Sequence, residues 1–194
     1  MRVGVLALQG AFDAHLGMLQ RIGVDSCSVR CPDDLVGVDA VVVPGGESTT
    51  MSMLASSSGL LEPLRRFAAN GVPIFGTCAG MIMLASDIED GRDDQIALGA
   101  IDITVQRNGY GRQLQSFETD IDVPDGRSFH AIFIRAPRVT RVGEGVEVLA
   151  LHRGDPVLLR QGSVLVASFH PELTDDPAIH EMFINSVHRA GIAG

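Results

Sequence analysis

Apolar and polar positions along the chain switch repeatedly between two periods. Arg2 to Leu8 reads as a strand, and Phe12, Leu16 and Leu19 then fall on one helical face. Ser26 to Arg30 and Ala40 to Val43 read as further short strands. Pro63 to Asn70 has the look of a helix end, Pro73 to Phe75 of a strand start, and Met81 to Ala85 of a helical run. Strand–helix alternation of this kind predicts an α/β fold with a mostly parallel sheet covered on both faces. From about Ile101 to Val142 the period drops to two. Ile101, Ile103 and Val105 alternate with more polar residues, as do Phe129, Ala131 and Phe133, which predicts antiparallel or edge strands. Val146 to Leu151 and Val164 to Ser168 read as two more strands. A last helix follows, with Asp176 as its cap, Pro177 in its first turn, and Ile179, Met182, Phe183 and Val187 on one face.

The 194 residues suffice for one well-buried domain spanning 1–194, with no repeat, low-complexity stretch or linker to divide it. A hydrophobic fraction of 45% and a charged fraction of 20% mark a globular chain. The net charge of -9 speaks against a nucleic-acid partner, which needs a clustered basic face, and against an anionic membrane surface. The apolar run at the N-terminus is too short for a signal-peptide core and nothing later approaches a membrane span, so the cytoplasm is the expected compartment. Cys27 and Cys31 lack a second Cys or His pair at zinc spacing and read as small apolar side chains. All 15 basic residues are arginine. Without lysine the chain can form no lysine Schiff base and complete no Walker-type phosphate loop.

Three segments carry candidate chemistry. Gly76-Thr77-Cys78-Ala79-Gly80 follows a strand and precedes a helix, the G-x-nucleophile-x-G pattern of a nucleophile elbow with Cys in place of Ser. A sharp turn strains the nucleophile, and flanking glycines leave room for the neighbouring strand and helix. The helix N-terminus beneath favours negative charge on the sulfur, and the Ala79 N–H faces a developing oxyanion. His170-Pro171-Glu172 lies just past the strand Val164 to Ser168. Were that strand to continue, both side chains would point to one side, giving a base oriented by a carboxylate. His15, His130, His152, His180 and His188 compete for the role of base. Pro44-Gly45-Gly46-Glu47-Ser48 follows the strand Ala40 to Val43; its backbone N–H groups can complete an oxyanion hole, and Ser48 or Thr49 can cap the next helix. Each segment follows a strand, so a parallel sheet brings all three to one edge.

These segments resemble the class I, triad-type glutamine amidotransferases. Within them the chain is similar to the glutaminase subunits of pyridoxal 5′-phosphate synthase. The strings that carry the resemblance are Leu8 to Ala11, Pro44 to Thr50 (PGGESTT), Phe75 to Gly80 (FGTCAG), Arg107 to Gln113 (RNGYGRQ), Ser116 to Glu118, Phe133 to Pro137 (FIRAP) and Ser168 to Leu173 (SFHPEL). The resemblance implies a three-layer, flavodoxin-like fold with some antiparallel strands. It implies a catalytic triad of Cys78, His170 and Glu172, and contacts to L-glutamine from Gly46, Glu47, Ser48, Arg107, Ile134 and Arg135. Gly46 and Ala79 would form the oxyanion hole, and Gln9 would couple partner binding to it. No cofactor or metal is implied. The implied partner is the synthase subunit, in a hetero-oligomer, receiving ammonia through an internal channel. Building the pyridine ring is imine chemistry, which a lysine-free chain leaves to that subunit. A cysteine peptidase with the same elbow, a glutaminase serving another synthase, and a non-catalytic scaffold stay open as alternatives.

Overall fold

The computed structural model describes residues 1–92, 94–107, 109, 116–124 and 126–192. Of the RNGYGRQ string, Arg107 and Gly109 fall among them; the other five positions lie outside the described residues.

The first half alternates as the pattern predicts. Strand β1 (Arg2–Leu6) is followed by α1 (Phe12–Arg21), β2 (Asp25–Val29), a 3-10 turn at Pro32–Leu35 and β3 (Ala40–Val43). Then come α2 (Ser48–Ser57), α3 (Leu61–Ala69), β4 (Ile74–Thr77) and the short α4 (Ala79–Leu84). The middle holds β5 (Ala85–Ile88), β6 (Ile101–Gln106), β7 (Ser116–Asp122), β8 (Ser128–Ile134) and β9 (Arg138–Val142). The chain continues through β10 (Glu147–His152), β11 (Asp155–Gln161), β12 (Val164–Ala167), a 3-10 turn at Pro171–Leu173 and α5 (Ala178–Ile192).

Seven strands form the main sheet in the order β10-β11-β12-β4-β3-β1-β2. Every pair from β12 to β2 is parallel, whereas β10, β11 and β12 pair antiparallel. All four residues of β3 are fully buried, because both faces of the sheet are covered. Along β3, Val41 and Val43 join the core with Met51, Leu64 and Met81, while Ala40 and Val42 join Leu19, Phe75 and Phe183 on the other side. An unbroken apolar run is what a doubly covered parallel strand requires. Helices α2, α3 and α4 thus cover one face, α1 and α5 the other. The period-two middle adds a small sheet on each side: β5-β6-β9 packs through Ile101, Ile103 and Val105, and the hairpin β7-β8 through Phe129, Ala131 and Phe133.

Two expectations are corrected and one strand is unforeseen. The first strand ends at Leu6 rather than Leu8, since beyond Ala7 the chain turns through Gly10 (φ 92°) and the Ala11 N–H donates to the Gly45 carbonyl at 3.0 Å. The helix after the Gly-Gly turn is capped by Glu47, not by Ser48 or Thr49; its carboxylate accepts from the Thr49 and Thr50 N–H groups. The hydrophobic pattern does not predict strand β11, because Pro156 disfavours a strand and its hairpin turn, with Arg153 and Gly154 at φ 51° and 89°, lacks the usual Asn-Gly or Asp-Gly signature. Elsewhere Asp176 does cap α5, accepting from the Ala178 N–H at 2.9 Å. Among the described residues no helix is long and apolar enough to cross a membrane.

Candidate active site

The strand order decides where the chemistry meets. β12, β4, β3 and β1 are consecutive neighbours and parallel, so the loops leaving their C-terminal ends lie side by side. Those loops carry His170, Cys78, Gly46 and Gln9.

Cys78 sits between β4 and α4 with φ 49° and ψ −103°, a conformation that costs a non-glycine residue of order 1–3 kcal/mol. It is held there by its N–H, which donates to the Ala167 carbonyl at 2.8 Å, and by close packing around the turn. A Cβ on Gly80 would run into the Val43 carbonyl oxygen, which is why a glycine must follow the elbow. Gly45 has the same need: a side chain there would meet the His170 ring and the Cys78 Cβ. The two glycine loops therefore pack against each other's chemistry.

His170 and Glu172 meet, though not along a continuing strand. β12 ends at Ala167, and Pro171, which has no N–H to offer a ladder, starts the 3-10 turn that curls Glu172 back. The His170 N–H donates to the Ile132 carbonyl at 2.8 Å, and its Nδ1 lies 2.7 Å from Glu172 Oε1. That leaves Nε2 for the sulfur. Burial alone would lower the imidazole pKa, but the Cys78 sulfur and the Glu172 carboxylate more than offset it and raise it to about 10. Cys78 Sγ also lies 3.8 Å from the Ile134 carbonyl oxygen.

A cavity of about 380 Å³ opens over these groups. Gln9, Gly46, Glu47, Ser48, Cys78, Arg107, Ile134, Arg135 and His170 all line it. Glu172 stands behind His170, with its carboxylate fully buried, and Ala79 lies beneath as the first residue of α4. Among first-turn residues of a helix the N–H has no acceptor within the helix, so Ala79 has one to offer. Gln9 accepts through Oε1 from the Glu47 N–H at 2.9 Å, tying the loop after β1 to the Gly-Gly loop. Arg107 pairs with Glu47 at 2.9 Å, placing a guanidinium at the cavity wall. Hydrogen bonds from Thr50 and Thr49 outweigh desolvation and lower the Glu47 pKa to about 2. The Ser48 hydroxyl is buried and accepts from Gln95 Nε2 at 2.9 Å. Arg135 has φ 44°, so the chain kinks as it leaves β8 at the cavity rim.

A family model for the SNO glutamine amidotransferases matches residues 5–189. The chain belongs to the SNO glutamine amidotransferase family. It is 54% identical over 191 residues to the pyridoxal 5′-phosphate synthase subunit PdxT of Mycobacteroides abscessus, covering 97% of this chain and 98% of that one. A crystal structure of a glutamine amidotransferase superposes with a TM-score of 0.92 at 49% identity, covering 96% of this chain and 98% of the other. PurLQS from Thermotoga maritima, at 15% identity and a TM-score of 0.71 over 97% and 98% of the two chains, shares the fold. The class I glutamine amidotransferase fold expected from the motifs is the one present.

The remaining histidines divide by place. His130 is exposed on β8 between Glu118 and Asp120, and His152 stacks on Phe117. His15 and His180 are fully buried behind His170 and Glu172, with His15 against Thr77, an arrangement the sequence motifs do not predict. The signal was present: His15 falls on the apolar stripe Phe12, Leu16, Leu19, where an unpartnered imidazole would be costly.

Proposed function

We propose that this chain hydrolyses L-glutamine to L-glutamate and ammonia and passes the ammonia to the synthase subunit of pyridoxal 5′-phosphate synthase, as a single domain of a hetero-oligomer in the cytoplasm. The observation that carries the reading is the strained Cys78 beside a His170 that is itself hydrogen-bonded to buried Glu172, in a chain of this family.

In the proposed sequence glutamine enters the cavity with its side-chain amide over Cys78. Gly46, Glu47, Ser48, Arg107, Ile134 and Arg135 surround it, and the Arg107 guanidinium suits the amino-acid carboxylate. Cys78 Sγ attacks the amide carbon, and the oxygen that becomes negative is met by the Gly46 and Ala79 N–H groups. His170 gives its proton to the departing nitrogen, so ammonia leaves and a glutamyl thioester remains. His170 then takes a proton from water, whose oxygen attacks the thioester. Glutamate departs, the sulfur is restored, and Glu172 keeps the imidazole in one tautomer throughout. No step needs a cofactor or a metal. The 2.9 Å bond from the Glu47 N–H to Gln9 supports a role for Gln9 in setting the Gly-Gly loop when the partner docks.

The deciding experiment measures ammonia release from glutamine with and without the synthase subunit, for the native chain and Cys78→Ala. The reading expects release that rises with the synthase and vanishes in Cys78→Ala. Unchanged release in Cys78→Ala would overturn it in favour of a non-catalytic subunit.

A further inference from the structure

Glu172 Oε1 is taken by His170, but its second oxygen is fully buried and has no hydrogen-bond partner among the described residues. A polar group within reach of it is His15 of α1, whose Nε2 is hydrogen-bonded to the hydroxyl of Thr77 at 3.1 Å and lies 3.4 Å from Glu172 Oε2. On its other side, His15 Nδ1 lies 2.9 Å from Nε2 of His180 on α5. All three ring and carboxylate groups are sealed from solvent.

We propose that His15 is a positioning residue of the triad: a neutral imidazole that presents its Nε2–H to the outer oxygen of Glu172 and so fixes the carboxylate that orients His170. The inference rests on the triad proposed above and concerns the group behind it.

The tautomers decide the direction of the bonds. If His15 carried its proton on Nδ1, a bare Nε2 lone pair would face the Glu172 carboxylate, and His180 would have to bury an Nδ1–H with no acceptor. With the proton on Nε2, His15 donates to the Thr77 hydroxyl with its N–H edge 3.4 Å from Glu172 Oε2, His15 Nδ1 accepts from His180 Nε2–H, and the His180 atom left over is a bare Nδ1, the cheaper group to leave unpaired. Burial, then the neighbouring His180 and His170, holds the His15 pKa well below its ordinary value, so the ring stays a neutral donor and acceptor. The groups facing it are Glu172 and His170 from the 3-10 turn, Thr77 from β4, and His180 from α5, whose own neighbour is Arg21. Thr77 directly precedes Cys78. One imidazole therefore touches the supports of the nucleophile and of the base together. Arg21 reinforces the same seam, binding Asp175 at 2.7 Å and the Thr174 carbonyl at 3.3 Å, which clamps α1 to the turn carrying Glu172.

Three variants separate positioning from packing. His15→Leu fills the space and removes the donor. His15→Gln places an N–H near the Nε2 position, toward Glu172. His15→Asn is shorter and serves only the Nδ1 side, toward His180. Each is assayed as the complex with the synthase for kcat and KM on glutamine, and for the pH dependence of Cys78 alkylation by iodoacetamide. The expected result is a drop in kcat of about tenfold in Leu and Asn with KM unchanged, and an acid limb of the alkylation profile moved up by about one pH unit. His15→Gln should recover most of both. The proposal is overturned if Asn recovers function as well as Gln does, or if kcat and the alkylation profile of Leu and Asn match the native chain. The alkylation profile needs no glutaminase activity. Loss of the glutaminase reading would show as no ammonia release in the native complex, while the profile still reports on His15.

Discussion

His170 and Glu172 are two residues apart, yet their 2.7 Å contact depends on a proline-started turn rather than on any strand. The strand pattern would have aligned the two side chains in parallel. The turn instead brings the carboxylate behind the ring, at Nδ1, and leaves Nε2 open toward Cys78.

Replacing Glu172 should therefore change the base without changing the cavity. The His170 pKa, about 10, is held above the ordinary 6.5, against burial, by Cys78 and Glu172. That ion-pair stabilisation is complete below pH 6.5 and fades as pH rises toward about 10. Glu172→Gln removes one of the two supports, so NMR titration of the imidazole should show its pKa falling. Glutamine turnover should drop by on the order of 10³-fold, since an amide in this place favours the wrong tautomer. A turnover within twofold of native would contradict the assignment of Glu172.

Glu47 joins two tasks, capping α2 and pairing with Arg107. Glu47→Ala should lower stability by about 1 kcal/mol in urea unfolding, the usual cost of a lost cap. It should also raise KM, because Arg107 loses the carboxylate that places it at the cavity. The carboxylate's folded-state pKa of about 2 lies below the ordinary 4.5, so its stabilising contribution is present above pH 4.5 and is lost as pH falls through about 2.

The buried pair His15–His180 should set the acid limit of the fold. Both pKa values are lowered, His15 well below 6.5 and His180 to about 4, chiefly by burial. Above pH 6.5 neither the folded nor the unfolded chain holds these protons. Below it the unfolded chain takes them up first, so stability falls at up to about 1.4 kcal/mol per pH unit for each histidine. Chemical unfolding at pH 7, 6 and 5 should show that slope, and His180→Phe should flatten it. An equal slope in the variant would assign the acid sensitivity elsewhere.

Gly45 tests the packing of one glycine loop against the base. A methyl group there would press on the His170 ring and the Cys78 Cβ. Gly45→Ala should cost about 1–3 kcal/mol in thermal unfolding. Turnover should fall far more than that loss of folded protein explains. Retention of full activity would mean that the ring has another resting place.

Much of the site was legible because its parts are local. A strand, a glycine-flanked cysteine and a helix must make a sharp turn wherever they occur, and the Cys78 φ of 49° is that turn. The family strings carried the assignments of Gly46, Arg107 and Arg135, and each of these residues lines the cavity. The hidden parts depend on distant contacts. Glu47 replaced Ser48 as the cap because the carboxylate reaches two N–H groups at once, at 3.1 and 2.7 Å, while Gln95 occupies the Ser48 hydroxyl. Strand β11 contains a proline and follows an atypical turn, and it exists because β10 and β12 pair with its two edges.

The sequence by itself determined the alternating sheet and the elbow that holds Cys78, because periodicity and backbone sterics act over a few residues. The motif strings already pointed to His170 as the partner of Cys78, but only the tertiary structure decided which histidine stands behind Glu172. His15 and Glu172 are far apart in the chain, and only strand order and helix packing bring His15 Nε2 to 3.4 Å from that carboxylate. Once Glu172 Oε2 is sealed from water it needs a polar neighbour, and that need cannot be read from either residue alone.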